Sequence, residues 1–159
     1  MKYLPAIFIM LFLLSLSIPS FSKNSGSTTL SDNGNNGNTI NPMGNKIKVT
    51  VDTAVFIATL SDNATGTAFK SRLPLTIHMI ELNGNEKYFD FQTALPTDAS
   101  NPGTIQTGDL LLYGSNTLVL FYKTFSTSYS YTSMARIDNP SGLAAALGSG
   151  NVTVKFELE

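Results

Sequence analysis

Residues 75–91 read LTIHMIELNGNEKYFDF, two stretches of alternating polarity on either side of Asn83-Gly84-Asn85. Period-two alternation around an Asn-Gly pair is the composition of an antiparallel hairpin. Two registers are open to it. A two-residue loop sets Glu81 opposite Glu86, a pairing of like charges. A three-residue loop sets Glu81 opposite Lys87, Met79 opposite Phe89 and Ile77 opposite Phe91, with His78 facing Asp90 on the other side. Cross-strand charge pairing favours the second register.

The same period runs outward along the chain. Lys46 to Val51 (KIKVTV) alternates, and Asp52-Thr53 turns it into Ala54 to Leu60, a second hairpin. Ser61-Asp62-Asn63 supplies capping side chains for a short helix through Ala68, Phe69 and Leu73, halted at Pro74. After a polar loop from Pro96 to Gly103, Asp109 to Tyr113 reads as a strand that Gly114-Ser115-Asn116 turns into Thr117 to Lys123. That run is apolar on both faces, as expected of a central strand covered on both sides. Tyr129 to Ile137 is a further strand, followed by a helix from Ser141 to Leu147 that Asp138-Asn139-Pro140 caps and Gly148 ends. Asn151 to Leu158 closes the set, with Val152, Val154, Phe156 and Leu158 expected inward. Eight strands and two short helices predict a mainly β fold: a closed eight-stranded barrel over residues 46–159, because closure removes exposed strand edges.

Ahead of this domain, Lys2 precedes an apolar run from Ile7 to Leu14, continued by Leu16 and Ile18, and Ser20 and Ser22 stand at small-residue positions before Lys23. These are the parts of a cleaved export signal over residues 1–22. From Tyr3 to Ile18 there are 16 residues, with Pro5 among them, fewer than the ~20 of a bilayer-spanning helix. Residues 23–45, rich in Asn, Gly, Ser and Thr, read as a disordered linker with too few apolar side chains to offset the entropy of ordering. Asp32 to Met43 resembles a calcium loop only faintly, since its third position is Gly34 and its twelfth is Met43 in place of a bidentate Glu. The mature protein is therefore expected to be periplasmic or secreted and free of the membrane. With no Cys in the chain it is not a lipoprotein.

Composition narrows the chemistry. Ten Lys+Arg balance eleven Asp+Glu for a formal net charge of −1, which offers no electrostatic footprint for nucleic acid. The absence of Cys removes disulfides, thiol nucleophiles and thiolate metal sites. His78 is the single His, so a metal would lack a ligand set, and none is expected. With Asp90 across the hairpin His78 has the makings of an oriented base, but no Gly-x-Ser-x-Gly elbow supplies a nucleophile, and a surface His–Asp pair accounts for both residues. No glycine-rich loop leads into a helix, and no cofactor is expected.

The richest constellation is aromatic. Phe121, Tyr122, Phe125, Tyr129 and Tyr131 fall within eleven residues, interleaved with hydroxyl side chains, and Tyr129 and Tyr131 share one face of the expected strand. Tyrosine joins a large apolar area to a polar tip, which suits a contact surface for a peptide or small ligand; the competing reading buries Phe121 and Tyr122 in the core and uses the tyrosines to seal the rim.

Three stretches carry a resemblance: Gly108 to Asn116 (GDLLLYGSN) with Leu118 to Tyr122 (LVLFY), Leu82 to Tyr88 (LNGNEKY), and Ser126 to Ile137. Together they resemble the cyclophilin-like family of bacterial domains, across nearly all of residues 46–159. The resemblance implies an eight-stranded barrel closed by helices, distantly related to the cyclophilin prolyl isomerases. That activity would need an Arg on the proline carbonyl, an apolar socket and a rim His. Phe121 is placed to be the socket phenylalanine, whereas Tyr129-Ser130-Tyr131 stands where the His would be. The strand expected to bear the Arg holds His78, and the chain's two arginines are Arg72 and Arg136. The expectation is accordingly a barrel that binds a peptide or small molecule without catalysis, with Phe121, Tyr122, Tyr129, Tyr131 and Arg136 as candidate ligand-binding residues. A weak or narrow prolyl isomerase is the alternative, and an accessory module of an envelope complex a third.

Overall fold

The Asn-Gly turn forms with the backbone its residues permit. Asn83 and Gly84 both take positive φ (57° and 68°), the conformation that matches a turn to the right-handed twist of two antiparallel strands. It joins β3 (Leu75–Leu82) to β4 (Glu86–Asp90), and Glu81 pairs with Lys87, the register that charge favours. A computed structural model describes residues 44–159 of the 159-residue chain. The expected export signal (residues 1–22) and nearly all of the expected linker (residues 23–45) lie outside the described residues.

Two strands precede this hairpin, β1 (Lys46–Val51) and β2 (Ala54–Leu60), joined through Asp52-Thr53 as expected. A short helix, α1 (Ala64–Lys70), follows them. Beyond β4 come a two-residue strand β5 (Thr104–Ile105), then β6 (Asp109–Tyr113), β7 (Thr117–Phe121), a second two-residue strand β8 (Phe125–Ser126) and β9 (Thr132–Ile137). Helix α2 (Leu143–Leu147) and β10 (Val152–Leu158) complete the chain. Eight strands close a barrel in the order β1-β10-β3-β4-β7-β6-β9-β2, and β5 pairs with β8 outside it. Every barrel strand finds both neighbours within residues 46–158, so no strand edge is left open.

Period two fixes what fills the barrel. Ile47, Val49 and Val51 of β1, Ile77 and Met79 of β3, Leu118 and Leu120 of β7, and Val154 and Phe156 of β10 are buried together. Leu158, expected inward, is 42% exposed at the last position of β10. In β9, consecutive Met134 and Ala135 are both buried, since the pairing with β6 shifts by one residue between Leu110 and Leu111. A shift of this kind bends the strand and re-aims its side chains.

The helices close opposite ends. Helix α1 follows β2 at the end where β3 begins, and its Phe69 packs edge-on to Phe156 (5.5 Å) and against Phe91 (6.4 Å). Its cap is Asn63, whose side-chain oxygen accepts from the Gly66 backbone N–H at 2.7 Å. Only Gly fits at position 66, where a Cβ would stand 2.2 Å from the Ser61 carbonyl oxygen. Helix α2 follows β9 and inserts Leu143 and Leu147 into the core at the end where β4 begins.

The barrel's contents are not wholly apolar. The Lys87 side chain is fully buried and its ammonium donates to the Glu81 carboxylate, to Gly148 O (2.9 Å) and to Gly150 O (2.6 Å). The Tyr122 hydroxyl donates to both Glu81 oxygens at 2.9 and 2.8 Å, and its ring lies 5.2 Å from the Lys87 nitrogen. The cross-strand ion pair of the hairpin is thus also the polar plug that holds the turn after α2.

Candidate ligand-binding groove

Strand β7 is central, flanked by β4 and β6, and its alternation serves two cores. Leu118 and Leu120 face the barrel interior, while Val119 and Phe121 face outward. An outward apolar face needs a cover. It is supplied by the excursions before β6 and after β7, which pair as β5 and β8 (Ile105 with Phe125) and again through Ser100 and Tyr131. Ile105, Leu111, Val119 and Phe121 form a second buried cluster there, with Tyr88, Phe125 and Tyr131 packed against it.

The cover is incomplete, and a groove of about 390 Å³ remains beside it. Val119 and Thr117 of β7 lie along its floor, and Glu86, Tyr88 and Asp90 of β4, alternate residues on the outward face, supply one side. Tyr113 at the end of β6 and Tyr129 and Tyr131 from the covering segment supply the other, and Leu82 and Asn83 of the hairpin turn also line it. The rings brace one another: Tyr113 stands edge-on to Tyr129 (6.1 Å) and tilted against Tyr131 (5.6 Å), which meets Phe121 edge-on at 5.7 Å. Such a volume, apolar walls and a few polar groups are the makeup of small-ligand and side-chain sites.

Two carboxylates face this space. Asp90 accepts from the Thr117 hydroxyl at 2.6 Å. Glu86 is half-buried, and its carboxylate makes no hydrogen bond or ion pair among the described residues. Its burial, and then the negative charge of Glu81, raise its carboxyl above the usual range. Burial likewise raises the Tyr131 phenol, with Glu86 adding to the shift. On the inner side of the hairpin, burial alone would raise Glu81, but hydrogen bonds from Lys87, Tyr122 and the Gly84 N–H, with the Lys87 charge, outweigh it and hold that carboxyl low. Tyr122 is pushed up to about 12, first by burial and then by its bond to Glu81.

The five residues singled out in the sequence are distributed as follows. Tyr129 (61% exposed) and Tyr131 line the groove, and fully buried Phe121 lies beneath it. Tyr122 is on the barrel's inner side, against Glu81 and Lys87. Arg136 points to solvent, 3.7 Å from Asp109, and borders a neighbouring depression that shares Tyr131 with the groove. Arg72 stacks on Phe91 at 4.6 Å and donates to Thr93 O (3.2 Å) and Ala94 O (3.3 Å), so neither arginine lines the groove.

Two sequence expectations are corrected. Tyr129 and Tyr131 do not share a strand face: β9 begins at Thr132, and Tyr129 reaches the groove from the loop, where its backbone N–H bonds the Thr127 hydroxyl (3.1 Å). Nor do His78 and Asp90 pair. The β3–β4 ladder ends at Ile80 and Tyr88, after which β3 stays with β10, setting His78 opposite Thr153, while Asp90 is engaged by Thr117 of β7. Tyr88, Tyr113 and Glu86 also line the groove, beyond the residues expected from the sequence. The preferred hairpin register already put Lys87 and Phe89 inward, which leaves Glu86 and Tyr88 on the outer face.

This is a small closed barrel with an open, tyrosine-lined groove on its outer face. Over residues 49–157, more than half the chain, the sequence matches the cyclophilin-like family, and the protein belongs to that family. Among solved structures it is similar to the solution structure of the hypothetical protein AF2241 from Archaeoglobus fulgidus. The TM-score is 0.56 at 18% identity, covering 74% of this chain and 96% of that one, a likeness of fold. No curated protein matches the chain.

Proposed function

We propose that this cyclophilin-like barrel is an exported binding module that holds a peptide or small ligand in the tyrosine-lined groove without catalysis. One observation carries the reading. Tyr88, Tyr113, Tyr129 and Tyr131 come from β4, β6 and the covering segment, remote in sequence, and converge on one concavity with Val119 in its floor. A tyrosine rim that merely sealed the second core would close over it, whereas here Tyr113 and Tyr129 remain 46% and 61% exposed around an open space. Prolyl isomerisation of the cyclophilin kind asks for an arginine beside the bound amide, and the groove is lined by carboxylates instead. Export rests on the signal-like character of residues 1–22.

The test uses isotopically labelled protein and a panel of short X-Pro peptides. Shifts at Val119 and the groove tyrosines with no acceleration of cis/trans exchange support binding alone. Exchange cross-peaks between the peptide isomers, which the uncatalysed reaction is too slow to give, would favour an isomerase. Silence in both would leave the groove reading without support.

A further inference from the structure

We infer that the groove selects a positively charged side chain, a lysine or arginine borne on an extended peptide segment. The inference rests on the binding reading above and adds the chemistry of the ligand.

Its basis is complementarity. Four tyrosine rings line a partly enclosed space, and aromatic rings attract ammonium and guanidinium groups. Glu86 and Asp90 face the same space, and no Lys or Arg among the described residues lines it. Lys87, adjacent in sequence to Glu86, points into the barrel and is engaged by Glu81 and two backbone carbonyls. Among the described residues, Glu86 is therefore a half-buried carboxylate without a counter-ion or donor. The charged or titratable groups that bear on it are anionic or neutral: Glu81 raises it further, and its own charge raises Tyr122 and Tyr131. Like-charge neighbours and partial burial make this an expensive place for a carboxylate in the empty protein, and an incoming cation relieves both. A peptide is the source favoured over a free amine because the site is an open groove along β4 and β7, with Asn83 and Thr117 as polar groups beside its apolar walls.

The experiment compares three probes on the purified protein by NMR and calorimetry: Ac-Gly-Phe-Lys-Phe-Gly-amide, the same peptide with norleucine for Lys, and N-acetyl-lysine methylamide. The lysine peptide is expected to bind about tenfold more tightly than the norleucine one, the scale of a partly desolvated cation–ring and ion-pair contact. Raising NaCl from 50 to 500 mM should narrow that preference. Glu86→Gln, a near-isosteric change on the outer face, should cut it to about two- or threefold, with the loss falling mainly on the lysine peptide. As pH rises through the elevated Glu86 range the preference should grow in the wild type and stay flatter in Glu86→Gln. Equal binding of lysine and norleucine peptides at the groove tyrosines overturns the charge selection and leaves the binding reading standing. Equal binding of the single acetylated lysine and the peptide overturns the peptide source. No perturbation of those tyrosines by any probe overturns both readings.

Discussion

Replacing Lys87 by Met tests how the hairpin beneath the groove is held. The two side chains are similar in length, so the substitution removes an ammonium and leaves a filled volume. What is lost is the pair with Glu81, the donations to Gly148 O at 2.9 Å and Gly150 O at 2.6 Å, and the approach to the Tyr122 ring at 5.2 Å. Orphaning one partner of a buried pair costs about 3–5 kcal/mol. Here Glu81 is 19% exposed and keeps the Tyr122 hydroxyl and the Gly84 N–H, while the two carbonyls belong to solvent-exposed glycines, so the cost should fall to about 2–3 kcal/mol. For a domain of this size that is roughly a 10 °C fall in Tm, read by thermal unfolding. The pH dependence has a definite sign. Glu81 is held low in the folded protein, so its contribution is present above its usual value near 4.5 and lost as pH falls through the lowered folded value. Without Lys87 that carboxyl loses both a hydrogen bond and a charge that hold it low, so the gap between wild type and Lys87→Met should shrink on acidification. A Tm unchanged at pH 7, or a gap that widens in acid, would refute the claim that this pair holds the hairpin.

Two further outcomes separate foundation from surface. Phe121→Ala should cost about 3–5 kcal/mol by denaturant unfolding, because a fully buried ring of the second cluster is removed, whereas Tyr129→Ala, at an exposed position, should stay within about 0.5 kcal/mol of wild type. Glu86→Gln should raise stability slightly, by roughly 0.5 kcal/mol after screening, since burial and Glu81 both oppose its charge. That gain should appear only above the ordinary glutamate range: the wild type loses stability as pH rises through the elevated Glu86 value, and the Gln variant does not. A Gln variant less stable than wild type at pH 7 would contradict the reading of Glu86 as an uncompensated charge.

The barrel was legible because its signals are local. Asn83-Gly84 fixes a turn, the Glu81–Lys87 pairing fixes the register, and alternation in Lys46 to Val51 and Val152 to Phe156 tells inside from outside. The double-sided apolarity of Thr117 to Phe121 correctly announced a strand covered on both faces. What covers its outer face was not legible. The cover is built from two-residue ladders and a single Ser100–Tyr131 bridge inside segments whose composition is that of loops. Periodicity needs more residues than that to register. The site suffered accordingly. Tyr129 and Tyr131 cluster in the sequence but lie ahead of β9, and Tyr122 points away from its neighbour Phe121, as adjacent residues of an extended chain do. Tyr88 and Tyr113 reach the groove only through the order β4-β7-β6, a tertiary fact that spacing along the chain does not carry. The burial of Lys87 was likewise hidden, because its partners at Gly148 and Gly150 lie about sixty residues on.

The central claim is that the outer-face groove is where ligand sits. Intermolecular NOEs between the labelled protein and Ac-Gly-Phe-Lys-Phe-Gly-amide address it directly. The account predicts contacts from the peptide to the rings of Tyr88, Tyr113, Tyr129 and Tyr131 and to the Val119 methyls, and their loss in Tyr129→Ala with the fold intact. Contacts confined to the depression beside Arg136, or to the α1 end of the barrel, would contradict it.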